Sequence, residues 1–436
     1  MRIGVVAACA LLLTALPAAA QAAPGGTCFD ESAPTTVEQR RLDQPVPRQV
    51  LERSGFDRVA AGFGGELCEA GDLESAQRVV ETEGKRLWET AVARAQGRLP
   101  SGDLPADDDR PLYWARLHMT RALARWQPDF PLSEAERADL TASLERHSRG
   151  QSGIRLPAGV KRVLVSGFDP FRLDDDIRRS NPSGAIALAL DGTVLSTPDG
   201  PARVEAAMFP VLWRPFEQGV VERTFLPHLR PGPRQADLFA TVSQGRPDRF
   251  DVERWNGRWH QGTDNDNEVR DGGVITVPDD LPGTDPAPEF VPTTQPYADM
   301  AGAGTGRFPV FDNTEVTEIP AGGSEPVTRP DGPTPGSAAR SGGGGNYLSN
   351  EIAYRTTALR DALGVRMPGG HVHTPVLQFD PANKTEITDP VFERNRLDIT
   401  AQFREILTVA VTSGVPGDPF GPARTPRSGP LPPTSM

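Results

Sequence analysis

V-L-V-S-G-F-D-P-F, at residues 163–171, is the stretch on which the fold turns. It opens with an uncharged aliphatic run, the composition of a strand buried on both faces. Gly167 and Pro170 then punctuate it. Further along the chain the style recurs, with apolar runs of strand length alternating with helical patterns. Strands are predicted at 162–166, 204–210, 237–242 and 371–377, and helices at 182–190, 216–225, 350–363 and 399–411. This alternation is the signature of an α/β layered domain, here spanning 160–412.

Upstream the pattern changes. Residues 147–159 read as a linker, and 45–150 as helical. Val79, Val80, Leu87, Trp88 and Val92 recur near helical spacing, as do Leu112, Trp114, Leu117, Met119, Leu123 and Trp126. Ser133 followed by Glu136 is the pattern of a capping box opening a third helix. A small helical domain over 24–150 is therefore expected, its aromatic residues packed in a core. Residues 24–44 are polar and read as a tether. Residues 262–345 are rich in Gly, Pro, Asp and Thr, which suits a lid or an insertion disordered in part. The Pro-rich tail at 413–436 is expected to be unfolded.

The chain has 436 residues and a net charge of -12, which disfavours a nucleic-acid surface. Residues 1–23 read as a secretory signal peptide: Arg2, an apolar core at 3–16, and Ala20-Gln21-Ala22 for cleavage. The core falls short of the ~20 residues that span a bilayer. A secreted, extracellular protein with no membrane attachment after signal removal is expected. Cys9 leaves with the signal. Cys28 and Cys68 remain, and in an exported chain they are expected to form a disulfide.

Three residues stand out for chemistry. Ser349 follows a glycine run at 342–345 and precedes a helical pattern. That position suits an ordinary helix cap, and it also favours developing negative charge. The glycines are a flexible linker on one reading and a site of close backbone approach on the other. His371 and His373, two apart on a strand, share a face. No acidic or Cys partner stands at metal-ligand spacing, so no metal and no cofactor are expected. One histidine as general base is the better reading; spacing alone does not choose the carboxylate that orients it.

Taken together, Gly167-Phe168-Asp169-Pro170-Phe171, Asn181-Pro182-Ser183, Gly345-Asn346-Tyr347-Leu348-Ser349-Asn350 and Gly370-His371-Val372-His373-Thr374-Pro375 resemble, in order and context, the pyroglutamyl peptidases (pyrrolidone-carboxylate peptidases). The resemblance implies a three-layer α/β/α domain with a mixed, mostly parallel sheet. It also implies removal of N-terminal pyroglutamate from peptides, or cleavage of a related small cyclic amide. By matching motifs it assigns Ser349 to the nucleophile position, His373 to the base, and Glu253 in Asp251-Val252-Glu253-Arg254 to the catalytic acid. Phe168 and Phe171 match the aromatic pair that holds the lactam ring. Asn181, and Gln244 in Ser243-Gln244-Gly245-Arg246, complete the substrate-binding set.

The departures bear on activity. The family's cysteine is Ser349, and the histidine that commonly follows is Glu351. The stretch after Glu253 does not reproduce the family's Asn- and Arg-bearing run, leaving Arg258 and Arg270 as replacements for an arginine that supports the oxyanion site. A serine hydroxyl must be deprotonated as it attacks, which demands a well-aligned base and good oxyanion donors. The resemblance therefore leaves three outcomes: a serine-type hydrolase of pyroglutamyl peptides, a silent protein that keeps the pocket and binds pyroglutamyl or related ligands, or a hydrolase acting on a different amide or ester.

Overall fold

In the computed structural model, which describes residues 28–414, the aliphatic run at 163–165 lies inside a seven-stranded sheet. Its strands, in chain order, are β1 (Lys161–Phe168), β2 (Val194–Thr197), β3 (Gly200–Phe209), β4 (Leu238–Gln244), β5 (Phe250–Glu253), β6 (Val310–Asn313) and β7 (Gly369–Thr374). Across the sheet the order is β6-β5-β7-β4-β1-β3-β2. The β1–β3, β1–β4, β4–β7 and β5–β6 pairs are parallel, while β2–β3 and β5–β7 are antiparallel. Parallel neighbours need crossovers. Helices Pro182–Leu190, Val220–Leu229 and Leu348–Ala362 supply them between β1 and β3, β3 and β4, and before β7.

Val163 and Val165 pack into one buried cluster and Leu164 into another, because alternate strand residues face opposite sides. Ile186, Ile399 and Phe403 belong to the first cluster, Phe225 and Ile352 to the second. Helices thus cover both faces, giving three layers with a mixed, mostly parallel sheet between them.

The upstream helices are Pro45–Ser54, Phe56–Cys68, Leu73–Ala95, Arg110–Arg125 and Glu134–Ser148. Ser133 and Glu136 make the reciprocal capping box that opens the last. The helices have no core separate from the sheet's, for Trp88, Leu123, Val163 and Ile399 lie in one continuous cluster. Charge joins them too. Arg116 and Arg149 both pair with Asp169, just beyond β1, and all three side chains are buried. Asp109 accepts from the Asn181 backbone N–H at 3.0 Å and from the Ser180 hydroxyl. Burial and the neighbouring Asp108 charge push Asp109 up to about 7.

Three expectations need correction. Residues 28–44 do not form a free tether: Thr36 caps helix Val37–Arg40, and Glu38, Gln39 and Arg41 are buried. Their polarity serves internal bonds, such as Glu38 Oε1 accepting from Tyr113 at 2.9 Å and Asn265 at 3.0 Å. The helix expected at 216–225 is two, Trp213–Glu217 and Val220–Leu229, parted at Gly219, whose φ is 77°. The stretch 262–345 is not disordered. It continues a hairpin, Trp259–Thr263 with Val269–Val274, adds β6 to the sheet edge, and forms a three-stranded sheet. Its order comes from turns and polar anchors rather than apolar periodicity. Buried Glu318, for example, accepts from Arg329 at 2.9 Å and from the Thr334 N–H at 2.6 Å. Cys28 and Cys68 are disulfide-bonded, with Cα atoms 5.8 Å apart. The signal-peptide segment lies outside the described residues, as does the tail beyond residue 414. Among the described residues no helix is long and apolar enough to cross a membrane.

Removing one member of a buried ion network strands the others. Asp169→Ala should therefore destabilise the chain by about 3–5 kcal/mol, read as a lower urea midpoint. Glu38 gives the opposite sign. Burial, with Asp169 and Asp266 nearby, pushes its carboxyl from 4.5 up to about 8. The native state then holds a proton that the unfolded chain releases, so this group lowers stability as pH rises from 4.5 toward 8. Glu38→Gln should be near neutral at pH 4 and stabilising above pH 8. A tenfold change in proton affinity is worth about 1.4 kcal/mol, so the gain is on the order of a few kcal/mol. Thermal melts across that range check it.

Candidate active site

The C-terminal ends of β4 and β7 and the end of β5 meet where the chemistry-bearing residues lie. Antiparallel pairing sets His371 opposite Glu253 and His373 opposite Asp251. Glu253 therefore stands diagonal to His373, close enough for its side chain to reach across. Glu253 Oε1 lies 2.7 Å from His373 Nδ1. The other oxygen, Oε2, accepts from Asn313 Nδ2 at 2.7 Å, and the same amide reaches the Gly343 carbonyl at 3.1 Å. Glu253 and His373 are both buried. With Nδ1 turned to the carboxylate, Nε2 is the nitrogen left to work on a substrate.

His371 has a different position. Its Nδ1 is 2.8 Å from Thr241 Oγ1 and its Nε2 2.8 Å from Ser243 Oγ. Burial, and then the adjacent His373, hold it well below the usual imidazole range. Both nitrogens are engaged, so His371 is a neutral packing partner whose ring meets His373 edge-on at 4.7 Å. Among the described residues no group of three or more His, Cys, Asp and Glu is placed to hold a metal ion.

The glycine run 342–345 packs against this pair. A Cβ on Gly343 would lie 2.3 Å from Glu253 Oε2, and one on Gly344 would lie 3.3 Å from His373 Cε1. Close approach, not free linkage, is what these glycines provide. Helix Leu348–Ala362 begins immediately after, and Tyr347 at its N-cap makes no capping side-chain bond. The first-turn N–H groups of Leu348, Ser349 and Asn350 thus have neither intrahelical acceptors nor a side-chain cap. The helix start is pinned by Asn350, whose amide donates to the Gly257 and Trp259 carbonyls at 2.8 Å each and accepts from the Gly257 N–H at 2.9 Å. Ser349 sits in this first turn. Its hydroxyl donates to the Gly344 carbonyl at 3.0 Å rather than to His373. Gly344 thus borders both the hydroxyl and the imidazole.

Ser349 also lines a small recess together with Phe168, Phe171, Asn181 and Gln244. Phe168 is buried, stacked on Phe216 at 6.1 Å, and Phe171 stacks on Tyr347 at 6.2 Å. Asn181 lines the recess, yet its amide is already engaged: Nδ2 donates to the Asp169 carbonyl at 2.9 Å and Oδ1 caps the next helix at Ser183. It shapes the wall instead of offering a free polar group. Val211, Ser243, Tyr347 and Leu348 complete the lining. Sequence reasoning assigns these four no site role; Tyr347 and Leu348, beside Ser349, and Ser243, beside Gln244, carry a signal through the motifs they sit in, and Val211 carries none.

The recess is braced from outside the sheet domain. Asp169, between the two recess phenylalanines, is the residue that Arg116 and Arg149 hold. Asp109 holds the backbone of Asn181. Glu351 also belongs to a buried network. It bonds His260 Nδ1 at 2.8 Å and Arg355 at 2.8 Å, and Arg355 bonds Glu222 at 2.8 Å. The two candidate oxyanion arginines are not at the site. Arg258 donates to the carbonyls of Ile275 and Ala287, and Arg270 pairs with Glu217 and Glu268 on an exposed hairpin. The strand pairings that follow β5 carry both of them elsewhere, which sequence spacing does not record.

Two protein-family models match the chain, described as the PA0049 N-terminal domain over residues 18–145 and the PA0049 C-terminal domain over residues 162–299 and 306–378. "Uncharacterized protein PA0049" of Pseudomonas aeruginosa is 34% identical over 89% of this chain and 92% of its own length. Among solved structures, a mutant pyrrolidone carboxyl peptidase from the hyperthermophile Pyrococcus furiosus matches 57% of this chain and 98% of its own, at 20% identity and a TM-score of 0.38. Pyroglutamyl peptidase I from Bacillus amyloliquefaciens matches 58% of this chain and 96% of its own, at 18% identity and a TM-score of 0.38.

Gly343→Ala tests the close approach. The added methyl should push the Glu253 carboxylate off His373 and cost roughly 1–3 kcal/mol from overpacking. A lower melting temperature, with a longer His373–Glu253 separation in a crystal structure of the variant, is the expected result.

Proposed function

We propose that this chain, which belongs to the PA0049 family, is an exported hydrolase of pyroglutamyl-peptidase type that removes N-terminal pyroglutamate from peptides with a serine nucleophile. One observation carries the reading. A carboxylate-oriented imidazole, Glu253–His373, and an uncapped helix start bearing Ser349 meet beside a phenyl-walled recess. Export is supported by the Cys28–Cys68 bridge, since such bonds persist in oxidising compartments.

In this reading the lactam ring enters the recess between Phe168 and Phe171. The Ser349 hydroxyl leaves the Gly344 carbonyl and turns to His373 Nε2. Nε2 takes the proton as Oγ bonds to the pyroglutamyl carbonyl carbon. Glu253 holds the ring and stabilises the imidazolium. The oxyanion faces the first-turn N–H groups of the helix, where the positive dipole end favours it. Collapse breaks the C–N bond, and His373 returns the proton to the leaving amine. Water, deprotonated by the same nitrogen, then attacks the ester and frees Ser349.

A second reading, a binding protein without turnover, is favoured by one contact: the Ser349 hydroxyl is committed to Gly344 instead of His373. Neither Arg258 nor Arg270 stands at the site to support an oxyanion, and losing one such donor costs ~10²–10³ in rate.

Hydrolysis of a fluorogenic pyroglutamyl amide separates them. Turnover by the native chain that falls about 10³-fold or more in both Ser349→Ala and His373→Ala is expected for the hydrolase. Unchanged turnover in Ser349→Ala removes the triad assignment. A silent native chain with an active Ser349→Cys variant indicates a disabled peptidase. If both are silent while calorimetry detects pyroglutamate, the binding reading stands.

A further inference from the structure

The stretch 262–345 brings Asn313, the last residue of β6, to the candidate site. Parallel pairing sets it beside Glu253 on β5, so both side chains leave the sheet on the same face. The sheet holds its backbone, for the Asn313 carbonyl accepts from the Arg254 N–H at 2.9 Å. The side chain is buried.

The two groups that face its amide nitrogen are both acceptors: Glu253 Oε2 at 2.7 Å and the Gly343 carbonyl at 3.1 Å. The nitrogen, not the oxygen, is the end that fits between them, and an amide has the two protons they need. A hydroxyl has one proton to give, and an ionised aspartate has none. The neutrality of this donor matters too. Among the described residues the only ion-pair partner of Glu253 is His373. The adjacent Arg254 turns instead to Asp312 at 2.9 Å and to the Tyr297 ring, and Arg249 turns to Asp251 at 3.1 Å. A guanidinium in place of the amide would neutralise the carboxylate. The amide orients it and leaves its charge to the imidazole.

The second bond reaches toward the hydroxyl. Gly343 is fixed at both ends, its N–H donating to the Trp255 carbonyl at 2.7 Å and its own carbonyl accepting from Asn313. A glycine without such bonds turns freely. Gly344, whose carbonyl holds the Ser349 hydroxyl, is the next residue. One amide therefore ties the strand that carries the orienting carboxylate to the turn against which the serine rests.

Resting on the hydrolase reading, we propose that Asn313 is a positioning residue for the reaction, which sets the Glu253 carboxylate against His373 and holds the glycine turn beside Ser349. It acts through Glu253 and Gly343. The stretch that supplies it is then part of the catalytic apparatus and not a decoration on the sheet edge.

Hydrolysis of the fluorogenic pyroglutamyl amide by the full chain tests this in Asn313→Ala and Asn313→Asp. A second readout is the low-field Nδ1–H proton resonance of His373, identified by its loss in His373→Gln. Asn313→Ala should lower kcat about ten- to a hundredfold, the worth of one hydrogen bond to a charged group. KM should change by no more than about twofold, and the resonance should move or vanish. In Asn313→Asp a carboxyl replaces the amide only while it holds a proton. Its kcat relative to the native chain should therefore rise as pH falls from about 8 to about 6, whereas an asparagine that merely fills space predicts a flat ratio near one. Should Asn313→Ala fail to fold, Asn313→Asp, of nearly the same volume, carries the test by itself. An unchanged resonance, an unchanged kcat or a flat ratio overturns the positioning role and leaves the hydrolase reading standing. Absence of turnover in the native chain overturns that reading, and the role in the reaction falls with it.

Discussion

The Asp169 carboxylate, held between the Arg116 and Arg149 guanidiniums, is the constraint on which the rest of the structure depends. It sits where β1 ends and the recess begins, between Phe168 and Phe171. Its backbone is tied as well, with N–H donating to Phe209 at 3.1 Å and the carbonyl accepting from Asn181 at 2.9 Å. Three charges removed from water are costly unless each is matched. Displacing Asp169 would leave Arg116 and Arg149 with only the half-buried Glu145 carboxylate between them, so the segment is held in place. What such a network contributes is placement more than net stability.

That placement reaches the candidate chemistry by short steps. Asp169 fixes both phenylalanine walls, and Asp109 fixes the helix start at Asn181. The opposite side of the site is fixed independently, where Asn350 pins the Leu348–Ala362 helix to the strand segment at Gly257 and Trp259. Glu253 and His373 come from neighbouring strands whose register is set by the sheet. The hydroxyl, the imidazole and the recess therefore belong to three separately anchored elements. The helical segment, the source of Arg116, Arg149 and Asp109, is structural support for the site and not an appendage to it.

On the proposed hydrolase reading, a hydroxyl nucleophile puts the demand on this preorganisation. A thiolate can be stored beside an imidazolium, whereas a serine must be deprotonated during attack. Glu253, doubly engaged by His373 and Asn313, meets the requirement for an orienting carboxylate. The start of helix Leu348–Ala362 leaves first-turn N–H groups without a side-chain cap. The Ser349–Gly344 bond bears on the choice between the two proposed readings, and it involves a single rotatable side chain.

Much of this is legible in the chain because it is local. Alternating apolar runs mark β1, β4 and β7 and the crossover helix at 182–190; the Ser133–Glu136 spacing marks a capping box; the motifs mark Ser349, His373 and Glu253. Strands β5 and β6 leave little mark, being four residues each with scant alternation, and the order of 262–345 rests on turn and side-chain bonds that leave no periodic trace. The linear chain alone therefore dictates the layered fold and the residue types of the candidate site, since strand and helix periods and residue chemistry are properties of neighbours. The clamp of Arg116 and Arg149 on Asp169, the press of Gly343 on Glu253 and the inertness of His371 arise only once the chain has folded. Those outcomes follow from which distant charges and surfaces lose water together, and no local pattern records that.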